Sequence, residues 1–316
     1  MRGKNLILAL AWSLALVLGS AHAAMLADTP QIFAPDVVSS VHGEGSATFT
    51  PDGKTVYFMR GDGDSSTILE SHLVAGKWTT PRIAPFSGHW RDLDPAMAPD
   101  GSYLLFVSNR PIAPGGPALD ALNHGKLSLG LGMNLWRVDR RGDGWTEPAR
   151  LPDAVNASTM TFAPSIAANG DVYFIGRIGP DDDLTVLRSH YRDGYYIEPS
   201  AVSLGSADDK IRDPAIAPDQ SFMVFSIAPR ASEQPLRLAI AFREGDHWSK
   251  PLDLGDEING AGYAMGGHLG ADGHTLFFDS ARVDKTQPFA ARSWNNGDDN
   301  IWSVSLLPWL HQLALH

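Results

Sequence analysis

Five segments of the sequence repeat one pattern, in which a turn of the Pro-Asp-Gly type precedes a run of alternating β-branched and aromatic residues. They read "FTPDGKTVYFMR", "MAPDGSYLLFVSNR", "IAANGDVYFIGR", "IAPDQSFMVFSIAPR" and "LGADGHTLFFDSAR". Asp-Gly and Asn-Gly supply the positive φ that a tight hairpin turn needs, and the runs that follow have the composition of strands. Each segment therefore predicts a β-hairpin.

Two further strands are predicted after the hairpins. A third strand recurs as "TILESHL", "NLWRV", "LTVLRSH", "RLAIAF" and "NIWSV". A fourth strand begins, in four of the five units, at an aromatic residue that we expect to pack between neighbouring units: Trp78, Trp145, Tyr196 and Trp248. Four antiparallel strands in a unit of about 50 residues are the pattern of a β-propeller blade.

The fifth unit has no fourth strand after "NIWSV", but residues 27–35 near the N-terminus resemble one. In that segment Pro30 and Phe33 stand where Pro148 and Leu151 stand in "WTEPARL", and Ala27 replaces the leading aromatic residue. The N-terminal strand is therefore predicted to complete the last blade, which removes an unpaired sheet edge.

The predicted fold class is all-β, a five-bladed β-propeller of four-stranded antiparallel blades whose ring is closed by the N-terminal strand. We expect one domain over residues 24–316, with blade cores at about 43–85, 92–155, 160–206, 212–258 and 263–306 plus 27–35.

The first 23 residues have the pattern of a secretory signal peptide. Two positive charges precede the apolar run "LILALAWSLALVLG", and Ala21-x-Ala23 offers a cleavage site after Ala23. No later stretch has the roughly 20 apolar residues of a membrane helix. We therefore expect export to the periplasm or beyond, without a membrane span.

Composition narrows the classes of function. A formal net charge of −11 disfavours nucleic-acid binding, because phosphate contacts need Lys and Arg. The sequence has no cysteine, which excludes disulfides and Cys-ligated metal. We expect a monomer whose stability comes from apolar burial.

The repeats resemble the WD40-like Pro-Asp repeat, which occurs in the propeller of TolB-type periplasmic proteins. The resemblance is carried by "PDGKTVYFMR", "PDGSYLLFVSNR" and "HWSKPLDLGDEINGAGYAMGGHLGADGHTLFF" and extends over about residues 28–306. It implies the fold and an exported protein, but no single function, because such propellers serve as docking surfaces, accessory domains and enzymes. The sequence has no G-x-S-x-G motif of an α/β-hydrolase.

Candidate functional residues lie where the chain enters each innermost strand, on the face that also carries the insertions 111–132 and 283–299. Loops carry function more often than scaffold strands do. We expect the following residues to meet at one mouth of the central channel: Glu44, Trp90, Arg91, Asp92, Asp94, Arg212, Asp213 and His268.

Three interpretations of these residues stay open. In the first, Trp90, Asp92, Asp94, Asp213 and His268, with Arg91 and Arg212 giving directional contacts, form a recognition site for an envelope protein or a glycan. In the second, two carboxylates among Glu44, Asp92, Asp94 and Asp213 hydrolyse a glycosidic bond, which requires one carboxyl of raised pKa. In the third, arginines and aspartates neutralise one another and fill the channel.

We take the first interpretation as the prediction: a non-catalytic binding or scaffold protein of the cell envelope, with a glycoside hydrolase as the alternative. No cofactor is expected. Ca²⁺ is the metal that the acidic loops 61–66, 179–184 and 295–300 could hold through carboxylate oxygens, although none has EF-hand spacing. The histidines lack the spacing of a zinc enzyme.

Overall fold

The computed structural model describes residues 29–62, 65–179, 182–260, 262–289 and 292–313. The predicted signal peptide, its cleavage site and Ala27 lie outside these residues. The fold is a five-bladed β-propeller of antiparallel sheets, which confirms the predicted fold class. No helix in the described ranges has both the length and the apolar character that crossing a membrane requires.

The innermost three strands of each blade are continuous. Blade 1 contains Gly43–Phe49, Thr55–Asp62 and Ser65–Val74, and blade 2 contains Asp92–Met97, Tyr103–Ser108 and Asn134–Arg141. Blade 3 contains Phe162–Ile166, Val172–Gly176 and Thr185–Ser189. Blade 4 contains Asp209–Ile216, Phe222–Pro229 and Arg237–Glu244, and blade 5 contains Met265–Leu269, Thr275–Ser280 and Asn300–Ser305.

The outermost strand is short and, in blades 1, 2 and 4, divided in two. Its first piece pairs with the end of the third strand, as Lys77–Trp78, Gly144–Trp145 and His247–Trp248, and its second piece pairs nearer the start, as Arg82–Ile83, Ala149–Arg150 and Leu252–Asp253. In blade 3 the outer pieces are Tyr195–Tyr196, paired with Tyr191–Arg192, and Ser200–Ala201. Outside the blades lie a hairpin of Ala121–Asn123 and Lys126–Ser128 and two short helices, Asp256–Asn259 and Leu307–Leu313.

The repeated turn has one geometry in all five blades. Its third residue has positive φ, and the N–H of this residue donates to the carbonyl three residues earlier: Gly53, Gly101, Gly170, Gln220 and Gly273. The Asp or Asn before it accepts a hydrogen bond at Oδ1 from the backbone N–H two residues further on. The short polar side chain thus closes the turn, which explains why Asp or Asn recurs there.

Apolar side chains pack between blades rather than within them. The five buried clusters each join two neighbouring blades, and together they cover all five junctions of the ring. At the junction of blades 1 and 2, the Trp145 ring lies 5.9 Å from Tyr57 and 5.8 Å from Phe86, centroid to centroid. Each blade therefore depends on both of its neighbours for the burial that stabilises it.

The N-terminal strand Gln31–Ile32 completes blade 5. Gln31 pairs with Ser303, Ile32 pairs with Trp302, and the Phe33 N–H donates to the Ile301 carbonyl at 2.9 Å. The ring of Phe33 lies 5.2 Å from Phe277, 5.4 Å from Trp78 and 5.6 Å from Phe49, each in an edge-on arrangement. Phe33 thus joins blade 5 to blade 1, as the ring-closure prediction requires.

Replacing Phe33 by alanine should destabilise the whole ring, because it removes the aromatic contacts that join the first and last blades. We expect Phe33→Ala to lower the free energy of unfolding by about 3 kcal/mol, measured by urea denaturation. Phe289→Ala is the matched control, since Phe289 is 66% exposed and should change stability by less than about 0.5 kcal/mol. Equal stability of the two variants would contradict closure through Phe33.

Candidate functional site

Two of the predicted acids, Glu44 and Asp92, are buried in ion pairs and do not line the central cavity described below. Glu44 Oε1 accepts from Arg60 Nε at 2.7 Å, and its carboxylate also accepts from the N–H and hydroxyl of Ser40. Asp92 Oδ1 lies 3.1 Å from Arg110 Nη1, and Oδ2 accepts from Ser87 Oγ at 2.8 Å. Burial raises the pKa of both carboxyls, and the hydrogen bonds and arginines oppose that rise. Both acids therefore stabilise the start of the innermost strand of their blade.

Every innermost strand contains a β-bulge whose central residue has positive φ, between 47° and 61°: Ser46, Asp94, Ala163, Asp213 and Gly266. A bulge turns a backbone N–H out of the ladder of its own blade. The N–H groups of Ser46, Ala163 and Gly266 donate to carboxylates of a neighbouring blade, and the five bulges surround a common axis. The alternation of a plain strand does not predict this geometry.

Three carboxylates occupy the ring of bulges, and one of them was not among the predicted residues. Asp94 and Asp213 lie at the bulges themselves, and Asp279 comes from the second strand of blade 5, opposite Met265. The corresponding position in the other blades is apolar or a serine: Met59, Val107, Ile175 and Ser226. An aspartate inside the strand "LFFDS" was therefore the signal that the sequence offered for this third acid.

The three carboxylates bond to the blade that follows their own. The Ala163 N–H donates to Asp94 Oδ2 at 3.1 Å, and the Ser46 N–H donates to Asp279 Oδ1 at 3.1 Å. Asp213 accepts from the Gly266 N–H in the same way. Ser46 Oγ also donates to Asp94 Oδ1 at 3.0 Å, so Ser46 links two of the acids.

Hydroxyls bridge blades in the next layer of the channel. The Met97 N–H donates to Thr48 Oγ1 at 3.0 Å, and the Ile216 N–H donates to Ser165 Oγ at 2.9 Å. With the carboxylate contacts, polar bonds along the channel cross all five junctions between blades.

Burial raises the pKa of all three channel carboxyls, because charge is poorly solvated there. The pKa of Asp94 rises to about 6, since burial acts first and the charge of Asp213 adds to it. The pKa of Asp213 is raised, and that of Asp279 is raised well above its ordinary value, with Asp213 and Asp94 contributing. No arginine forms an ion pair with these three acids within the described ranges. The charge of Asp213 therefore acts on both of the other acids.

Two glycines make room for Asp279. A Cβ on Gly45 would lie 2.5 Å from Asp279 Oδ2, and a Cβ on Gly266 would lie 2.3 Å from the same oxygen. Real Cβ atoms do not approach an oxygen so closely. The small residues at these positions are thus explained by the carboxylate between them.

His268 shares the channel with the acids. Burial lowers its pKa to about 4, so its imidazole is neutral at pH 7. It lines a central cavity of about 10 Å³, together with Ser46, Asp94, Asp213 and Gly266, and that volume accommodates about one water molecule. It also lines a wider cavity of about 130 Å³ formed mainly by apolar residues and prolines, including residues of the Pro-Asp-Gly turns.

The remaining predicted residues lie outside this cavity. The Arg91 backbone N–H donates to Asn109 Oδ1, and the charge of Arg91 opposes the rise of the pKa of Asp94. Arg212 Nη1 donates to the Leu184 carbonyl at 3.1 Å, and its charge similarly opposes the rise at Asp213. Trp90 lines a separate cleft of about 390 Å³ beside Phe86 and Trp145. The structure therefore unites Asp94, Asp213 and His268, adds Asp279, and leaves Trp90, Asp92 and Glu44 elsewhere.

Metal binding was considered for three acidic loops. Within the described residues, no group of three His, Asp or Glu side chains is arranged to hold a metal ion. Residues 63–64 and 180–181 of the loops 61–66 and 179–184 lie outside the described ranges. In the loop 295–300, Asn296 and Asp298 bond to each other through side chain and backbone. Calcium binding by these loops stays a prediction.

Comparisons with known proteins support the fold. No family model matches the sequence, and no curated protein matches it either. An α-L-arabinofuranosidase from Lactobacillus brevis is similar in structure with a TM-score of 0.53 and 10% identity, over 86% of this chain and 92% of that one. A GH62 hydrolase in complex with xylotriose gives a TM-score of 0.50 and 10% identity, over 88% and 97% of the two chains. At these identities the likeness shows the fold alone.

The structural neighbours also include TolB propellers. TolB from Acinetobacter baumannii is 18% identical with a TM-score of 0.39, over 66% of this chain, which spans 46% of that TolB. Together, fold and site define a five-bladed propeller with a carboxylate-lined axis. Membership of the Pro-Asp repeat family stays a prediction from the sequence.

The raised pKa of Asp94 has a consequence for stability. A carboxyl whose pKa is raised by folding contributes stability that is present below its unfolded pKa of about 4 and is lost as pH rises through about 6. We expect Asp94→Asn, which keeps an acceptor for the Ala163 N–H, to raise Tm at pH 8 by the equivalent of about 2 kcal/mol. The gain should disappear at pH 4.

Asp100→Asn is the control for this measurement. Hydrogen bonds from Ser102 lower the pKa of Asp100, so its substitution should lower Tm at pH 8 and do so less at pH 4. Thermal unfolding followed by circular dichroism at both pH values measures both effects. If Asp94→Asn lost the same stability at pH 4 and at pH 8, the charge of Asp94 would not be what destabilises the fold at pH 8.

Proposed function

We propose that this propeller is an exported, non-catalytic binding protein of the cell envelope, which recognises a protein partner through the face that carries its two long insertions. Export is supported by the signal-peptide pattern of residues 1–23. The face is named the insertion face below, and it contains residues 111–132, 283–289 and 292–299 and the loops that lead into the innermost strands.

A projecting hairpin in the first insertion carries the proposal. Its strands, Ala121–Asn123 and Lys126–Ser128, pair Leu122 directly with Leu127, so these side chains lie on the same side of the hairpin. Leu122 is 55% exposed, Leu127 58% and the following Leu129 75%. Three exposed leucines on one short hairpin are typical of an interaction site rather than of a solvated loop.

The hairpin is held in place by the body of the propeller. Its turn, His124-Gly125, has positive φ at both residues, as a two-residue hairpin requires. Asn123 and His124 receive the guanidinium of Arg177 from blade 3, and the Leu122 N–H donates to Thr159 Oγ1 at 2.9 Å. A surface fixed in this way loses little entropy when a partner binds.

Other apolar side chains share the insertion face. They are Val41, Ile112, Ile178, Val283 and Phe289, each more than a third exposed, and Ile178 follows Arg177 directly in the chain. Acidic residues lie among them, including Asp182 and Asp183, and the chain as a whole has a net charge of −11. The partner that fits is a protein with an apolar patch bordered by basic residues, because opposite charge steers association.

Removing the three hairpin leucines should abolish binding without affecting the fold. We expect the triple variant Leu122→Ser, Leu127→Ser, Leu129→Ser to lose at least about tenfold in affinity for its partner, with an unchanged Tm. The matched control replaces three exposed apolar residues elsewhere: Val74→Ser, Ile83→Ser and Leu252→Ser.

The measurement is quantitative cross-linking to envelope proteins, followed by titration of the captured protein with each purified variant. The proposal requires a protein that the wild type and the control triple bind and the hairpin triple does not. If the captured protein bound the wild type and both triple variants with equal affinity, or lost affinity only for the control triple variant, the recognition site would lie outside the hairpin.

A glycoside hydrolase is the second candidate, favoured by one observation: three carboxyls of raised pKa lie close to one another, and within the described ranges none of them forms an ion pair with an arginine. Hydrolysis needs two carboxyls with a sugar ring between them. The cavity here has a volume of about 10 Å³, and each carboxylate is engaged by the next blade. These contacts support a structural role for the acids.

Assays with 4-nitrophenyl α-L-arabinofuranoside and with xylan oligomers separate the two candidates. We expect wild-type protein to release no more product than the double variant Asp94→Asn, Asp213→Asn, because a sugar does not fit between the acids. Turnover by the wild type that the double variant lacks would establish the hydrolase and overturn both the structural role of the acids and the proposal that the protein is non-catalytic.

A further inference from the structure

A wide groove lies at the outer side of the junction of blades 3 and 4. Its volume is about 870 Å³, against about 390 Å³ for the cleft at the junction of blades 1 and 2. The larger volume lies within the range of sites for small molecules. It is on the rim of the propeller, apart from both the channel and the hairpin leucines.

The sequence explains why this groove is open. At the first junction the Phe86 ring packs beside Trp145, at 5.8 Å between centroids. Phe86 comes eight residues after Trp78, the leading aromatic residue of its blade, and the same position after Tyr196 is Leu204, followed by Gly205. The smaller residues leave unfilled the space that an aromatic ring fills at the first junction.

Cationic groups from both blades converge on the groove. From blade 3, the Arg188 guanidinium lies 5.4 Å from the centre of the Tyr173 ring, and from blade 4, the Arg243 guanidinium lies 5.2 Å from that of Trp248. Tyr173, Arg188 and Arg243 all line the groove. Burial raises the pKa of Tyr173, and the charges of Arg188 and Arg243 oppose that rise. Lys250 lines the same wall as Arg243.

These cations are only partly neutralised. Asp171 binds Arg188 at 2.6 Å and also accepts from His190. Arg243 donates its Nε to the Gly245 carbonyl at 2.7 Å, and in the described part of the chain neither Arg243 nor Lys250 forms an ion pair. Asp209 accepts from Ser206, and Asp246 is exposed. The wall from blade 4 therefore presents two cations available to a ligand on an otherwise acidic protein.

The opposite wall is rich in hydroxyls and exposed backbone. It includes Ser200, Ser203 and Ser206, and Ser249 lies across from them beside Trp248. Planar guanidinium groups match carboxylate, sulfate and phosphate oxygens, whereas hydroxyls and an indole suit the hydroxyls and C–H faces of a sugar. A groove of this volume and composition fits a charged chain of sugars better than a free inorganic ion.

We propose that the groove between blades 3 and 4 binds an acidic oligosaccharide, with Arg243 and Lys250 receiving its carboxylate or sulfate groups. The site is independent of the protein-binding function proposed above. No covalent step is involved, and the ligand is held by charge-assisted hydrogen bonds and contact with Trp248.

Isothermal titration calorimetry of the full chain with four probes tests the proposal. The probes are trigalacturonate for carboxylates, a heparin-derived hexasaccharide for sulfates, maltotriose as a neutral sugar, and inorganic phosphate as a free ion. We expect one of the two acidic saccharides to bind, and maltotriose and phosphate to bind at least about tenfold more weakly. No binding of either acidic saccharide, or equal binding of phosphate, would overturn it.

Three variants locate the binding. Arg243→Gln and Lys250→Glu should each weaken it by about tenfold or more, and Lys250 is exposed, so its substitution does not endanger folding. Arg140→Gln is the matched control, because Arg140 stacks on Trp145 at 5.1 Å and donates to the Gly142 carbonyl as Arg243 does at its own junction. Affinity unchanged in both groove variants, or lowered equally by Arg140→Gln, would refute the site.

Discussion

Burial between neighbouring blades is the interaction on which this structure depends. Every apolar cluster joins two blades, so a blade removed from the ring would expose both of its faces. Stability is therefore a property of the closed ring, and closure rests on Phe33, which contacts the first and last blades at once. The two-residue pairing of Gln31–Ile32 with blade 5 matters for stability because it holds Phe33 in place between the first and last blades.

Polar bonds repeat the same principle at the axis. Each innermost strand contains a bulge. Backbone N–H groups at or just beyond the bulges donate to a carboxylate or hydroxyl of a neighbouring blade, and these hydrogen bonds bridge the junctions. Asp94, Asp213 and Asp279 owe their position to this requirement. Their raised pKa values follow from the burial that the bridging role imposes, so a perturbed carboxyl here need not imply catalysis.

The sequence was sufficient to predict the fold because the relevant signals are local and repeated. Turn residues, strand composition and the Pro30 and Phe33 positions all follow rules that act over a few residues. The site was less predictable, because a bulge changes which side of the strand the residues near it face. The alternation of apolar and polar residues in the sequence does not reveal where a bulge lies. The register of the strands correctly placed Asp94 and Asp213 at the channel. It placed Glu44 and Asp92 there as well, but each of these lies two residues before the bulge residue of its strand and forms an ion pair instead.

Asp279 shows a different limit. It enters the channel from a second strand, and its place is set by Gly45 and Gly266, which belong to different blades. Such a contact depends on how blades sit beside one another, which no single repeat specifies. The hairpin leucines and the open groove were also beyond reach, because exposure and volume depend on the packed neighbours.

The pairing of residues 31–32 with residues 302–303 also bears on how the chain acquires its structure. The strand Gln31–Ile32 can pair only once the fifth blade is present, because its partner strand belongs to that blade. Contacts between residues so far apart in sequence form slowly, because the entropy of closing a long loop is lost before the contacts contribute stability. Until that pairing forms, the blades can make at most an open arc with two uncovered ends, and the ring closes only when residues 302–303 are in place.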